Sequence, residues 1–244
     1  LKPLRIFRHV VCEGPGYLAE LLEREAQPWE LVCLDAGTSV PGDLDRVSGL
    51  VFMGGNMSVN DRLEWIDQEL DLIRRAHALG VPMLGVCFGG QLISKALGGS
   101  VEPAPQGMEV GWHPLKRIEQ SRDEGWLEGL PDSIPTFHWH GETFTPPPGS
   151  TLLLENHCFR NQAFCLGDTL GMQFHLEMTE PMVLGWIRAF GRRLDPSSRC
   201  TQTVQELTAH LPYRIRKLHR VADVIFGHWL VRVRRRARLA ADGR

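Results

Sequence analysis

The sequence contains no uninterrupted apolar run of the ~18 residues that a membrane span requires, and no charged-then-apolar leader at its start. A cytoplasmic location is therefore expected, with no membrane partner. The six cysteines, Cys12, Cys33, Cys87, Cys158, Cys165 and Cys200, show no C-x-x-C spacing. In a chain of this length, expected in the cytosol, they read as thiols rather than a disulfide framework or a zinc site. A net charge of only -2 gives no overall drive toward nucleic acid. Internal repeats and low-complexity segments are absent, and so is a phosphate-cradling G-x-x-x-x-G-K-[ST] loop. No cofactor is called for.

What is present suits a globular domain. At 244 residues, 43% hydrophobic and 23% charged, the chain is able to bury a full core as one large α/β domain in preference to two small ones. Leu4–Val11, Trp29–Leu34 and the fully apolar Gly49–Met53 read as strands, with a helical stretch from Tyr17 to Ala26 between the first two. That alternation predicts a doubly wound open sheet. A second helix carries Leu63, Ile66, Leu70, Ile73 and Ala76 on one face, capped by Asn60 or Asp61 and closed by Gly80. After Gly98-Gly99 the pattern becomes short and β-like, at Val110–Ile118, Ile134–Trp139, Thr151–Glu155, Asn161–Leu166 and Leu170–His175. Helical patterns return at Glu180–Leu194 and Thr203–His210, on either side of a break at Asp195-Pro196-Ser197-Ser198. The arginine-rich Arg214–Ala240 stretch carries Val221, Val224, Ile225, Trp229 and Leu230 at helical spacing, which suggests a helix laid on the domain. We expect a domain over 1–194 and a C-terminal helical basic extension over 195–244.

Pro82-Met83-Leu84-Gly85-Val86-Cys87-Phe88-Gly89-Gly90-Gln91 runs from an apolar strand straight into a helical pattern. A Gly-x-Cys-x-Gly at that junction has the form of a nucleophile elbow with cysteine in the usual serine place. The helix N-terminus favours thiolate over thiol there. The plain alternative is a buried structural cysteine in a glycine-containing turn.

Downstream, Leu170–Glu177 places His175 and Glu177 two apart. On a strand both side chains leave one face, so the carboxylate is able to orient the imidazole. A thiol nucleophile needs a base, and the base works best when a third group sets its tautomer. Cys87, His175 and Glu177 supply those three roles. Taken singly, His175 reads equally as a bonded core histidine, and Glu177 as part of the following helix start.

Gly85-Val86-Cys87-Phe88-Gly89-Gly90-Gln91 together with Gln173-Phe174-His175-Leu176-Glu177 resembles the class I glutamine amidotransferase family, which shares a G-x-C-x-G-x-Q elbow and a Q-F-H-P-E strand end. Gly54-Gly55 sits where that family has its oxyanion loop. The Met53–Asp61 and Phe137–Phe144 stretches resemble its stand-alone, GMP-synthetase-like members. The likeness covers roughly residues 4 to 190, and the sequence departs from the pattern at Leu176 and Asn56, both usually proline.

The resemblance implies a three-layer α/β sandwich with a mostly parallel open sheet, an antiparallel extension and Cys87 at a strand's carboxyl end. It implies catalysis by Cys87, His175 and Glu177 through a γ-glutamyl thioester, releasing ammonia from glutamine. Phe88 and Gly55 become the oxyanion donors, and Gln91, Trp139, His140 and Gly141 hold the substrate's amino-acid end. Trp139 reads equally as a core aromatic. His138 and His140 at strand spacing also have the form of a metal pair, but local spacing offers no third ligand, so no metal is expected. Glu109 and Trp112 fall near the presumed rim, where packing is the better reading for Trp112.

No second, ammonia-using catalytic unit follows the domain. The chain therefore either feeds a separate synthetase or hydrolyses a γ-glutamyl compound outright as a γ-glutamyl peptide hydrolase. A non-catalytic binding protein with a basic C-terminal helix is the reading from another class, although nucleic acid is not an expected partner.

Overall fold

The computed structural model describes residues 2–119, 125–195 and 197–242. Pro196, part of the expected break, lies outside them. The strands are β1 (Leu4–Arg8), β2 (Trp29–Cys33), β3 (Gly49–Phe52), β4 (Met83–Val86), β5 (Val101–Pro103), β6 (Glu109–Trp112), β7 (Lys116–Arg117), β8 (Phe137–His140), β9 (Glu142–Phe144), β10 (Thr151–Glu155), β11 (Ala163–Leu166) and β12 (Thr169–Met172). The helices are α1 (Tyr17–Arg24), α2 (Glu64–Ala78), α3 (Phe88–Ala96), α4 (Glu180–Phe190), α5 (Val204–Thr208) and α6 (Leu211–Asp242).

The main sheet runs β2-β1-β3-β4-β12-β11-β10-β7. Its first five strands are parallel, and β11, β10 and β7 extend it antiparallel. The strands β1, β3 and β4 are apolar throughout or nearly so because helices cover both faces. On one face Ile6, Val51, Leu84 and Val86 pack against Leu18 and Leu22 of α1, Val183 and Trp186 of α4, and Ile225, Phe226 and Trp229 of α6. On the other, Phe7, Leu50, Phe52 and Met83 meet Ile66, Leu70 and Ile73 of α2 and Leu92 and Ile93 of α3. This is the expected three-layer sandwich. Among the described residues no helix is long and apolar enough to cross a membrane.

Three local expectations are corrected. Neither Asn60 nor Asp61 caps α2. Asp61 instead accepts a hydrogen bond from the Ser58 N–H at 3.0 Å, and the Asn60 amide donates to the Val101 carbonyl, so the helix begins only after extended Leu63. The run Leu170–His175 is not all strand: β12 stops at Met172, and His175 meets Phe137 through an isolated bridge. The cysteines are not all thiols. Cys158 and Cys200, with Cα atoms 6.0 Å apart, form a disulfide. Backbone bonds across the α5 approach, Val110 N–H to Cys200 O and Gln202 N–H to Val110 O, bring the second cysteine to the first.

The C-terminal stretch is a helix laid on the domain, as its spacing predicts. Leu218, Val221, Ile225, Phe226, Trp229 and Leu230 are buried in the core. Two of its arginines are spent on the domain itself, Arg234 on Glu25 at 3.0 Å and Arg235 on Asp168 at 2.6 Å.

Candidate active site

Cys87 joins β4 to α3 with φ 50° and ψ -108°, a positive-φ conformation that costs a non-glycine residue of order 1–3 kcal/mol. The neighbouring glycines make room for it. A Cβ on Gly85 would lie 2.5 Å from the Gly89 carbonyl oxygen, and one on Gly89 would lie 1.9 Å from the Phe52 carbonyl oxygen. So α3 begins pressed against β3 and β4, and only glycine permits that approach. The Cys87 N–H is anchored to the Met172 carbonyl at the end of β12.

That anchor places the chain after β12 beside the sulfur. The Gln173 amide lies 3.6 Å from Cys87 Sγ. Two residues on, His175 Nδ1 is 2.7 Å from Glu177 Oε1, and both side chains are buried. They meet across a bend rather than along one strand face. The Glu177 backbone is itself held, because its carbonyl accepts from the Tyr17 N–H at the start of α1. Burial alone lowers the imidazole's affinity for a proton. The charges of Glu177 and Cys87 and their hydrogen bonds outweigh it, leaving the His175 pKa well above its ordinary value. The ring's other nitrogen, Nε2, has no hydrogen-bond partner among the described residues.

Cys87 opens onto a cavity of about 470 Å³. Of the residues expected at the site, Gly55, Gln91, Trp139, His140 and Gly141 all line it. The Gln91 amide donates to the Glu142 carbonyl and to Gln173 Oε1, both at 3.2 Å, which holds it toward the cavity's β9 side. Gly55 N–H makes no hydrogen bond among the described residues. Phe88 is the first residue of α3, so its N–H is one of those a helix start leaves unpaired. Trp139 answers to both of its readings: half-buried, it lines the cavity and packs edge-on to Trp186, 5.8 Å away.

Glu109 and Trp112 do not line the cavity. Trp112 is packing, with its indole N–H on the Leu207 carbonyl and its ring on Phe137. Glu109 is buried beneath His140 and is the third group that local spacing did not offer to His138 and His140. Its oxygens accept from Asn156 at 2.6 Å, and from His140 and Gln162 at 2.8 Å. With both oxygens so occupied, the cluster fits a bracing network better than a metal site. Burial opposes ionisation of Glu109, yet His138 and His140 hold its carboxyl well below the usual range.

Several residues at the site carry no motif. Glu13, at the end of the loop after β1, lines the cavity. Burial pushes its carboxyl up to about 7, against the pull of His175 and His9. Trp186, Phe190, Arg193 and Leu194 form another wall, with Trp186 edge-on to the His175 ring at 5.0 Å. The signal that bears on Glu13 is positional, since ligands in open parallel sheets gather at the strands' carboxyl ends. For the α4 wall the sequence carries no comparable signal.

The family pattern described as glutamine amidotransferase class-I matches residues 26–182. The chain is 33% identical over 175 residues to the glutamine-hydrolyzing subunit of the GMP synthase of Sulfolobus acidocaldarius, covering 70% of this chain and 84% of that one. It is 26% identical over 152 residues to "Gamma-glutamyl peptidase 3" of Arabidopsis thaliana, covering 59% and 60%. Among solved structures, a glutamine amidotransferase from Methylobacillus flagellatus superimposes with a TM-score of 0.91 at 36% identity, over 95% of each chain.

Proposed function

The chain belongs to the class I glutamine amidotransferase family, whose members are cysteine hydrolase-type enzymes, and from that premise we propose that it hydrolyses the side-chain amide of glutamine. Cys87 is the nucleophile, His175 the acid–base group and Glu177 the group that orients it. The observation that carries this reading is the buried His175–Glu177 pair, closed at 2.7 Å beside the strained Cys87 elbow.

In the proposed sequence the Cys87 thiolate bonds to the δ-carbon of the substrate amide, pushing the carbonyl electrons onto oxygen. The backbone N–H groups of Phe88 and Gly55 receive that oxyanion. As the tetrahedral centre collapses, the C–N bond breaks and protonated His175 gives its proton to the departing nitrogen, which leaves as ammonia. The neutral imidazole then takes a proton from water, whose oxygen attacks the thioester. Glutamate departs and the thiolate is restored, so that glutamine and water yield glutamate and ammonia. Gln91 and the Trp139–Gly141 backbone hold the amino-acid end.

The ammonia passes to a separate synthetase in this reading, which draws on the archaeal relative's being named as one part of a multi-subunit GMP synthase. The stretch from 195 onward is taken as an extension of the same domain, supported by the burial of its apolar face.

A second reading, hydrolysis of γ-glutamyl peptides by the same groups, has its own support. The cavity of about 470 Å³ has far more room than glutamine fills. Its aromatic wall rises from the side of His175, where a leaving group is protonated, and ends at Arg193.

The test is ammonia and glutamate release from glutamine, γ-glutamyl dipeptides and related amides by wild type and by Cys87→Ala. Turnover by the wild type, lost by at least ~10³-fold in the variant, is expected. Equal turnover by both proteins, or none by the wild type, overturns the proposal. The ranking of substrates separates the two readings.

A further inference from the structure

The proposed mechanism leaves unused a wholly buried ion pair that lies directly behind Gly54-Gly55. His9, one residue past β1, directs Nε2 at both oxygens of Glu69 on α2, at 3.0 and 3.2 Å. Its other nitrogen, Nδ1, lies 3.2 Å from the Gly54 carbonyl oxygen. Both ring nitrogens thus face atoms that only accept. A neutral imidazole carries a single N–H, so satisfying the two contacts requires the imidazolium. Burial works against that charge, but Glu69, the Gly54 carbonyl and Glu13 together raise the His9 pKa above its ordinary value. The ring is held between Trp65, stacked at 5.4 Å, and Phe88, edge-on at 4.9 Å.

The Gly54 carbonyl and the Gly55 N–H belong to one peptide unit. No peptide bond is cis, so the two groups point in opposite directions. A donor that fixes the carbonyl on the His9 side therefore turns the Gly55 N–H to the other side, where Gly55 lines the cavity with Cys87. The unit needs such a restraint. It lies between two glycines, whose backbones rotate freely, and residue 56 is asparagine, so no proline ring limits the chain there.

We infer that His9 and Glu69 are positioning residues, a buried charged pair that locks the Gly54–Gly55 peptide so that its N–H is presented to the oxyanion. The inference rests on the proposed hydrolysis and extends it to the part of the site behind the loop. Glu69 holds the imidazole doubly protonated and oriented. His9 spends its second proton on the loop. The pair touches neither substrate nor thiol.

The test compares His9→Phe/Glu69→Gln, which removes the donor without leaving a buried unpaired carboxylate, with His9→Asn/Glu69→Gln, which keeps an amide N–H near the Nδ1 position. Complete loss of an oxyanion donor costs about 10²–10³-fold in kcat. A peptide left present but unrestrained is expected to lose about tenfold to a hundredfold. That loss falls in kcat for glutamine, with KM within about threefold. The asparagine variant recovers most of it. Alkylation of Cys87 by iodoacetamide, a displacement with no oxyanion, stays within about twofold in both variants.

Equal kcat in the phenylalanine and asparagine variants overturns the inference, as does a loss confined to KM or an alkylation rate that falls in step with kcat. If the phenylalanine variant does not fold, Glu69→Gln alone decides: a fall in kcat of at least about threefold with unchanged alkylation supports the lock, and an unchanged kcat overturns it. A wild type inert toward every γ-glutamyl amide overturns the proposed function and this inference together, whereas an active wild type with indifferent variants overturns this inference alone.

Discussion

Replacing Glu13 with glutamine isolates the energetic consequence of burying a carboxyl beside the candidate catalytic histidine. Burial lifts the Glu13 pKa from an ordinary 4.5 to about 7; Glu177 reinforces the shift, while His175 and His9 oppose it. At ~1.36 kcal/mol per pKa unit, the folded state disfavours the ionised side chain by about 3 kcal/mol. The folded pKa exceeds the unfolded one, so the unfolded chain loses this proton first as the pH rises. The Glu13 contribution is therefore intact below pH 4.5, declines through the interval up to about 7, and is fully lost above it. Glu13→Gln keeps the size of the side chain and removes the titration. Urea unfolding of both proteins at about pH 4 and about pH 8 reads the difference, because groups that titrate alike in the two cancel. The variant is expected to gain about 3 kcal/mol on the wild type between those conditions, or roughly 6–12 °C in Tm for a chain of this size. A stability difference independent of pH refutes the reasoning.

Two further perturbations test the framework around the site. In Gly89→Ala the new Cβ meets the Phe52 carbonyl at 1.9 Å, and backbone lies on both sides of the contact. A loss of about 3 kcal/mol or more is expected, and a melting temperature within about 2 °C of wild type contradicts the close approach. The Cys158–Cys200 bridge spans 42 residues, for which chain entropy gives about 4 kcal/mol, so Cys158→Ser/Cys200→Ser lowers the urea midpoint accordingly. Thiol titration of the denatured, unreduced wild type should count only Cys12, Cys33, Cys87 and Cys165. A count of six removes the bridge.

The legible part of the site was the part built from short stretches. The alternation of apolar strands and amphipathic helices indicated a doubly wound sheet, and Gly85, Cys87 and Gly89 marked a junction whose strain and crowding are local. His175 and Glu177 were legible as a pair because two residues of chain cannot carry them far apart. The inferred reason differs from the observed one, since they meet across a bend after Met172 instead of along a strand face. Local spacing misled where a segment's end depends on its neighbours. Asp61 had the chemistry of a helix cap, but it bonds the Ser58 N–H, and α2 starts later.

By itself, then, the sequence determined the layer architecture, the elbow and the nucleophile–base–carboxylate set, because period, turn chemistry and short separations act within a few residues. The tertiary structure alone decided which distant groups surround them. His9 and Glu69 are 60 residues apart, Cys158 and Cys200 are 42 apart, and Glu109 meets His140 across 31. No local energy couples such positions. Their contacts arise only after strand order and helix packing have brought the ends of β1, β6 and β8 to their places around Cys87. A buried charge is tolerated only once those partners are there to meet it.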